Sequence, residues 1–540
     1  MISIRQALGA AFAVACLAQP SAAQVQSAEQ QKCLQSTATA SAKLAKARAK
    51  EYAKCLKSAA GEDLVGCSAE DCVASDASGK VGDALAKLRD ISSASCRTQP
   101  DFAYRHPSLV GSVVVDETIG LFDDVLGPDL DDVAILKSED ARGAACQGKI
   151  LKAATKLGLT MTSLYDACRK AAVPTVTSAE ALADCLDAIT ADDSGKVAAA
   201  ERGIDAAVAG TCAGLDMNTV LDGSCDGAPD LGDCVAERAR CRACRRASSS
   251  DDLGTDCDLF DDGNADGSCT GVAGRCNGRA DLCDRTFDEV AHPTTHNAYS
   301  SIEDDWFGPN QRYGLTRQLA EGITSMMLDS YEYEGGLWFC HGSCSYGGPT
   351  TIGKTSMVDG LSAIREHLLV DPESVVSIIF ESYITEAQMQ QAFTDAGLMP
   401  YLHEQPVGMP WPAMQQLVAS GKRLIVFTDD SAASLPWHHY VWDFAWETPY
   451  SFESAEDFVC SINRGDMANS LYILNHFLTD LVGSPQLANQ VNHNPLFEDR
   501  ALQCQTESGR LPNFVTVDFY DIGDVFEVTD TLNGFAQCAE

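Results

Sequence analysis

The cysteines in the first half of the chain recur with a fixed spacing, and this recurrence limits the folds that are open to it. Three cysteines separated by 22 and then 17 residues occur twice, as Cys33, Cys55 and Cys72 and as Cys146, Cys168 and Cys185. Each set is followed by a Ser-Gly-Lys-Val segment (78–81 and 194–197) and by a fourth cysteine, Cys96 or Cys212. Such self-similarity predicts a duplicated structural unit.

Helix geometry restricts how the cysteines of one unit can pair. Segment 34–54 has a helix-forming composition and contains neither Gly nor Pro. In a continuous helix its flanking cysteines lie about 33 Å apart, which is beyond disulfide reach. A second helix at about 79–95 leads back to the fourth cysteine, so we predict a stapled helical hairpin in each unit. The predicted disulfides are Cys33–Cys96, Cys55–Cys72, Cys146–Cys212 and Cys168–Cys185.

Residues 1–23 have the features of a secretory signal peptide: a basic residue, a short apolar run and small residues at 21–23. The apolar run is too short to cross a bilayer. Cys16 raises the alternative of a lipoprotein anchor. Ala13 disfavours it, because a larger aliphatic residue is usual three residues before the lipid-modified cysteine. Without Cys16 the chain keeps 22 cysteines, an even number typical of a disulfide-bonded protein in an oxidising compartment. We therefore expect a secreted, cell-surface or periplasmic protein.

The net charge of -38 excludes the basic footprint that nucleic-acid binding needs. It also disfavours electrostatic adsorption to an anionic membrane, although transient contact with a membrane surface stays open. At 540 residues the chain is too long for one ordinary domain. We predict a duplicated Cys-rich helical region at 24–220, a Cys-rich and loop-rich linker at 221–285, and a separate domain at 286–540. The helical region is expected to be a spacer or an interaction stalk, and its sequence identifies no partner.

The last domain alternates between strand-like and helix-like segments. The predicted strands are 287–291, 325–333, 337–340, 374–380, 422–429, 471–477 and 513–520. The predicted helices are 315–322, 356–369, 385–396 and 411–420. This alternation over about 250 residues predicts a parallel sheet closed into a (β/α) barrel of the TIM type. The predicted fold class is therefore multidomain, with a disulfide-stapled α-helical region followed by an α/β barrel.

Polar residues fall in order at the ends of the predicted strands. His296 and Asn297 follow the first strand, Asp329 is late in the second, His341 follows the third and Glu381 follows the fourth. The carboxyl ends of barrel strands form one mouth, where active sites are built. We therefore expect these five side chains to converge.

Several segments of this domain, in this order, carry a family resemblance: THNAYS (295–300), RQLAEGITSMMLDSYEYEGGLWFCHG (317–342), FESY (380–383), WPAMQQLVASGKRLIVFTD (411–429), ILNHF and PNFVTVDFY. Residues from about 286 to 535 resemble the X-domain-like branch of the phosphatidylinositol-specific phospholipase C superfamily, which are phosphodiesterases with a PLC-like barrel. The resemblance covers a little under half of the chain. It says nothing about residues 24–285.

The resemblance implies that His296 and His341 are the catalytic pair. It also implies that Ca²⁺ is bound by Asn297, Asp329 and Glu381. Some calcium-dependent members carry a further acid two residues before the strand-two aspartate, and here that position is Met327. Members without metal place an arginine at the position of Asp329, so the sequence favours calcium with one ligand missing.

Further candidates lie elsewhere in the same domain. Substrate-binding candidates are Asp518, His476 and Trp442, for which structural roles are the alternative. Cys340 and Cys344 flank His341, and a disulfide between them would close a tight loop around it. A second pair is Cys460–Cys504. Cys538 is then left over, and because residues 24–285 hold an odd number of cysteines, 17, one bridge between the halves is implied.

The predicted function is an exported phosphoric diester hydrolase of the phosphatidylinositol-phospholipase-C type that acts on a phospholipid or another phosphodiester. The two histidines would serve as general base and acid, and Ca²⁺ would stabilise the phosphate. Two alternatives stay open. One is a phosphodiesterase of the glycerophosphodiester type. The other is a catalytically degenerate barrel that acts as a surface binding module.

Overall fold

A computed structural model describes residues 25–269, 274–341, 344, 353–479 and 483–538. The predicted signal peptide and Cys16 lie outside these residues. The first half of the described chain is helical. Its helices are α1 (Ala28–Gly61), α2 (Ala69–Ser75), α3 (Lys80–Ala94), α4 (Pro107–Leu126), α5 (Leu130–Val133), α6 (Lys137–Ala172), α7 (Glu180–Ala183), α8 (Asp187–Ala191), α9 (Lys196–Ala209), α10 (Leu231–Asp251) and α11 (Cys257–Asp262).

The duplicated unit is a helical hairpin in both copies. Helix α1 begins at a capping box, in which Ser27 and Gln30 satisfy each other's backbone N–H groups, and it ends at the left-handed residue Glu62. Helix α3 packs against α1, and α9 packs against α6. The disulfides of the two hairpins are Cys33–Cys96, Cys55–Cys72, Cys146–Cys212 and Cys168–Cys185. These are the pairs that the spacing predicts.

The long helices α1, α4, α6 and α10 pack together around one apolar core. Within it Tyr52 and Phe122 are fully buried, with ring centroids 4.8 Å apart. Four further disulfides lie within residues 225–283: Cys225–Cys234, Cys241–Cys269, Cys244–Cys257 and Cys276–Cys283. This stretch, predicted to be a loop-rich linker, contains the long helix α10, which packs in the helical core. The helical region is therefore a packed body of its own, held by disulfides and core burial.

The second half is built on one sheet. Its strands are β1 (His292–Thr295), β2 (Ser325–Tyr333), β3 (Gly336–Phe339), β4 (Thr355–Ser356), β5 (Val376–Tyr383), β6 (Leu424–Thr428), β7 (His438–Tyr440), β8 (Ala445–Glu447), β9 (Arg464–Gly465), β10 (Leu471–Asn475) and β11 (Phe514–Val517). Its helices are α12 (Leu315–Ala320), α13 (Met357–Val370), α14 (Glu386–Asp395), α15 (Met414–Ser420), α16 (Pro485–Val491), α17 (Leu496–Ser508) and α18 (Val525–Leu532).

The sheet is curled and mostly parallel, and it is open at one point. Eight strands pair in parallel in the order β7-β6-β5-β2-β1-β11-β10-β8. Within the described residues no ladder joins β7 to β8. Only residues 441–444 connect these two strands, whereas neighbouring parallel strands need a crossover of about a dozen residues or more. The predicted closed barrel is therefore present in part, as a curled parallel sheet.

Two predicted strands differ from the structure. Residues 287–291 are not a strand: Phe287–Glu289 is a 3-10 turn with a capping box at Thr286, and the strand begins at His292. Strand β3 is not a parallel barrel strand. It pairs antiparallel with β2 through the two-residue turn Glu334-Gly335, whose φ values of 50° and 78° are those of a tight hairpin.

Covalent and ionic contacts join the two halves. The disulfide Cys67–Cys538 supplies the bridge that the odd cysteine counts imply. Ion pairs across the same boundary join Arg89 to Glu321 at 2.9 Å and Arg105 to Glu366. No helix within the described residues is both long and apolar enough to span a bilayer.

Candidate functional site

A cavity of about 240 Å³ opens at the carboxyl ends of the parallel strands. It contains all five side chains that the sequence places at strand ends. Its described lining is His296, Asn297, Met327, Asp329, His341, Ile379, Phe380, Glu381, Asp429, Val441, Trp442, Glu447, Tyr450, Arg464, Ile473, Asn475 and Phe477. Strands therefore bring together residues that are far apart in the chain.

His296 is held in a fixed orientation at the end of β1. Its Nδ1 lies 2.9 Å from Oδ1 of Asp518, which follows β11, and its ring stacks on Phe477 at 4.2 Å. The Asp518 carboxylate also accepts two hydrogen bonds from Asn310 Nδ2, both of 3.1 Å. With a proton on Nδ1 shared with Asp518, the Nε2 atom of His296 is free to accept a proton from a substrate.

The charges around His296 favour its protonated form. Burial by itself lowers the pKa of His296, but the Asp518 carboxylate, its hydrogen bond, and the charges of Asp329 and Glu381 outweigh that loss. The net result is a pKa above the ordinary histidine value. His296 is therefore an imidazole that can stabilise the proton it takes up.

His341 reaches the same cavity by a different route. The β2–β3 hairpin folds the chain back, so that the Cys340 N–H donates to the Asp329 carbonyl at 3.3 Å. The Cys340 carbonyl accepts from Tyr299 Oη at 3.0 Å, and Cys340 is disulfide-bonded to Cys344. His341 therefore follows a buried residue, Cys340, that is fixed by hydrogen bonds and by its disulfide. Desolvation, and then the charge of His296, lower the pKa of His341.

Asp329 and Glu381 form a pair of carboxylates on neighbouring strands. They are in register across the β2–β5 ladder, and Asp329 is buried. Desolvation, followed by the charge of Glu381, raises the pKa of Asp329 to about 8. Asn297, in the left-handed conformation (φ 45°), lines the same cavity, and its Oδ1 accepts from Tyr299 Oη at 3.2 Å.

This donor set fits a hard divalent cation. Two carboxylates that repel each other in a buried place, with an amide oxygen near them, are the ligands that Ca²⁺ prefers. Met327 also lines the cavity, so an apolar side chain stands where some relatives of the resembled family carry an acid. The residues present therefore offer three oxygen donor groups, Asn297, Asp329 and Glu381.

Comparison with known proteins finds similarity over the second half of the chain. Residues 282–533 match the family model described as PI-PLC X 1. These residues are therefore similar to PI-PLC X domains. The resemblance predicted from the sequence over residues 286 to 535 is confirmed.

Three curated relatives align with 47–48% of this chain. An uncharacterized secreted protein of Arthroderma benhamiae is 26% identical, and 64% of its length is covered. A PI-PLC X domain-containing protein of Arabidopsis thaliana is 28% identical, with 63% covered. PI-PLC X domain-containing protein 1 of Arthroderma benhamiae is 26% identical, with 89% covered. The chain thus spans less than two thirds of the first two relatives.

The three candidate substrate-binding residues have different positions in the second half of the chain. Trp442 lines the cavity. Asp518 is not part of the described cavity lining. It lies behind His296 and holds that histidine in position through a hydrogen bond. His476 is fully buried, stacked on Phe497 at 3.8 Å, with Nε2 bonded to the Val491 carbonyl. The structure corrects the expectation for His476, because core packing occupies both its ring and its nitrogens.

Four polar lining residues were not predicted from the sequence. Asp429 and Asn475 stand at the ends of predicted strands, so the strand-end argument that found His296 could have found them. Glu447 and Arg464 come from β8 and β9, which are short and pair antiparallel. Their chain positions carry no periodic signal that the sequence argument could use.

Proposed function

We propose that this protein is an exported phosphodiesterase of the phosphatidylinositol-phospholipase-C type. The observation that carries the proposal is the convergence of His296, backed by Asp518, with His341 and the Asp329–Glu381 carboxylates in one cavity. The PI-PLC X family match supports it. The disulfides, and the relative named a secreted protein, support export.

The reaction that these residues suit is an internal transfer at phosphorus. The Nε2 atom of His296 takes the proton of the headgroup hydroxyl next to the phosphodiester as its oxygen bonds to phosphorus. The bond from phosphorus to the lipid oxygen breaks, and His341 donates a proton to that leaving oxygen. The products are a cyclic phosphodiester and a diacylglycerol. The lowered pKa of His341 makes it the more acidic of the two imidazoliums, which suits a proton donor.

A cation bound by Asn297, Asp329 and Glu381 would supply positive charge to the phosphate oxygens. It would also disfavour the protonated form of His296, because a nearby positive charge lowers the pKa of an imidazole. His296 would then be unprotonated over a larger part of the neutral range, as a general base requires.

The test is a product-resolved assay on phosphatidylinositol and on a glycerophosphodiester, with and without EGTA. We expect a cyclic inositol phosphate from the wild type and at least about a 1,000-fold loss for His296→Ala and for His341→Ala. His493→Ala is the matched control, because this histidine is half exposed and lies outside the cavity lining.

Different outcomes reject different parts of the proposal. Direct hydrolysis of the glycerophosphodiester without a cyclic product would favour that class of enzyme. Full activity of the His296→Ala variant would reject the assigned base. Activity that EGTA leaves unchanged would reject the calcium role of Asn297, Asp329 and Glu381.

A further inference from the structure

The first helical hairpin has a basic face, although the chain as a whole is acidic. The chain has 77 acidic and 39 basic residues, yet the exposed charged side chains of α1 are six lysines and one glutamate. They are Lys32, Lys43, Lys46, Lys50, Lys54, Lys57 and Glu29. Of these lysines only Lys54 forms an ion pair among the described residues, with Glu51 at 3.6 Å. A solvated helix face usually mixes both signs, so this face is a local basic surface.

A groove of about 670 Å³ lies beside this face, between the N-terminal half of α1 and α3. All of its described lining comes from these two helices. Ala40 and Ile91 pack against the apolar cluster between the helices and give the groove an apolar floor. The polar lining consists of three lysines, two glutamines, one serine and one threonine.

Most of these polar side chains are free to bind a ligand. Two of them donate to nearby backbone carbonyls. The other five form no hydrogen bond or ion pair with the described part of the chain, and they are Lys32, Lys43, Lys87, Gln35 and Ser36. Lys32 and Lys43 are about three helical turns apart, so they point the same way and lie about 16 Å from each other along the helix. The groove therefore presents separated positive charges with unpaired hydrogen-bonding groups between them.

The second hairpin shows that the fold does not require these lysines. Both hairpins are closed by equivalent disulfides. When the long helices are aligned on their cysteines, Ala145 takes the place of Lys32. When the Ser-Gly-Lys-Val segments are aligned, Gly203 takes the place of Lys87, and only Lys43 has a lysine counterpart. A ligand of the first hairpin accounts for lysines that the shared fold does not need.

The chemistry of the groove indicates the class of this ligand. Lysine ammonium groups pair with anionic groups such as carboxylates and sulfates, and amide and hydroxyl side chains bond to hydroxyl groups. The apolar floor can pack against the C–H faces of sugar rings. Because Lys32 and Lys43 are about 16 Å apart, only a chain of several linked units contacts both. An anionic bilayer would lie across the lysines without entering the groove.

We propose that the groove between α1 and α3 binds a linear acidic polysaccharide. Lys32, Lys43 and Lys87 pair with its carboxylate or sulfate groups. Gln35 and Ser36 bond to its hydroxyl groups. The groove lies in the helical region, so the inference does not depend on the proposed phosphodiesterase function.

The test measures binding of the full-length protein to three soluble chains by isothermal titration calorimetry. Alginate carries carboxylates, dextran sulfate carries sulfates, and dextran is uncharged. EGTA keeps Ca²⁺ away from alginate, and about 0.15 M salt limits electrostatic attraction to about 8 Å. We expect the wild type to bind at least one of the two acidic chains and not dextran, with an affinity that falls as salt rises.

The combined change Lys32→Gln, Lys43→Gln and Lys87→Gln tests the charges. Glutamine has nearly the helix propensity of lysine, so the thermal unfolding midpoint should stay unchanged. We expect the affinity for the acidic chain to fall by about 10- to 100-fold, because each lysine near an anionic surface contributes to binding.

Two further variants separate the groove from general charge effects. The matched control is Lys149→Gln with Lys196→Gln and Lys422→Gln, which changes the net charge equally at exposed lysines outside the groove. We expect it to bind within about twofold of the wild type. Gln35→Ala with Ser36→Ala tests the contacts to sugar hydroxyls and should weaken binding by about 3- to 10-fold.

Several outcomes would overturn the proposal. The first is no binding to either acidic chain. The second is an equal loss in the groove variant and the control variant, because net charge would then explain the binding. Unchanged binding by the Gln35 and Ser36 variant would reject the recognition of a sugar chain. Tighter binding to vesicles of phosphatidylcholine and phosphatidylglycerol in equal parts, lost in the groove variant, would assign the lysines to an anionic membrane instead.

Discussion

Replacing Asp518 by Asn tests the central pair of the site, because it removes one charge and little volume. Asp518 accepts from His296 Nδ1 at 2.9 Å and is the carboxylate that raises the pKa of this histidine the most. A hydrogen bond to a charged group contributes about 1.5–3 kcal/mol, which corresponds to about one to two pKa units. We therefore expect the pKa of His296 to fall by about one to two units in the variant.

The effect on catalysis is expected to be larger than the pKa change alone. Asn310 donates to both oxygens of Asp518, so the amide nitrogen of an asparagine there would face a donor in either orientation, Asn310 Nδ2 or His296 Nδ1. Where the amide nitrogen faces His296, the proton moves to Nε2 and the base is lost. We expect kcat/KM at neutral pH to fall by about 100- to 10,000-fold.

Two measurements check this prediction. NMR titration of ¹⁵N-labelled histidine follows the pKa of His296 without any substrate. The pH dependence of kcat/KM should show the acidic limb moving to lower pH, because that limb reports the protonation of the base. Asp521→Asn is the matched control, since Asp521 pairs with Arg312 outside the cavity lining. An unchanged His296 titration in Asp518→Asn would refute the reasoning.

Three further predictions concern stability. The folded state keeps the Asp329 proton up to about pH 8, whereas the unfolded chain releases it near pH 3.8, so with EGTA present the free energy of unfolding should fall as pH rises between these values. In urea titrations, Asp329→Asn should make the free energy of unfolding less dependent on pH. An equal pH dependence in the variant and the wild type would contradict the raised pKa of Asp329. His476→Ala should lower the free energy of unfolding by about 3 kcal/mol, while kcat/KM of the folded protein stays within about threefold of the wild type. Unchanged stability with lost activity would instead indicate that His476 binds substrate. The double change Cys67→Ser with Cys538→Ser should lower the free energy of unfolding by about 2–5 kcal/mol, measured by thermal unfolding. No decrease would mean that other contacts between the halves, such as Arg89 with Glu321, are sufficient.

The sequence predicted most where regular geometry converts spacing into distance. The intervals between Cys33, Cys55 and Cys96 predicted a hairpin and its pairs because helix rise is constant. Residues after successive strands predicted a shared cavity because parallel strands end on one side of a sheet. The odd number of cysteines in each half predicted a disulfide from Cys538 to the helical region, but it did not identify Cys67 as the partner.

The sequence was silent or wrong where long-range contacts decide the structure. The sequence of segment 337–340 does not distinguish it from a parallel strand of the sheet. Its antiparallel pairing with β2 turns the chain back and brings His341 close to Asp329. His476 comes directly after Asn475, the last residue of β10, yet Phe497 and Val491 from another part of the chain enclose it.

By itself the sequence determined the stapled helical hairpins, the alternating second half, the family resemblance and the set of histidines and carboxylates at strand ends. Tertiary structure decided that Asp518 orients His296, that the sheet is open between β7 and β8, and that Arg464 is held by Glu447. The physical reason is that local geometry follows from spacing along the chain. Charge pairing and burial depend on neighbours that only folding brings together, and they decide which nitrogen of a histidine carries a proton.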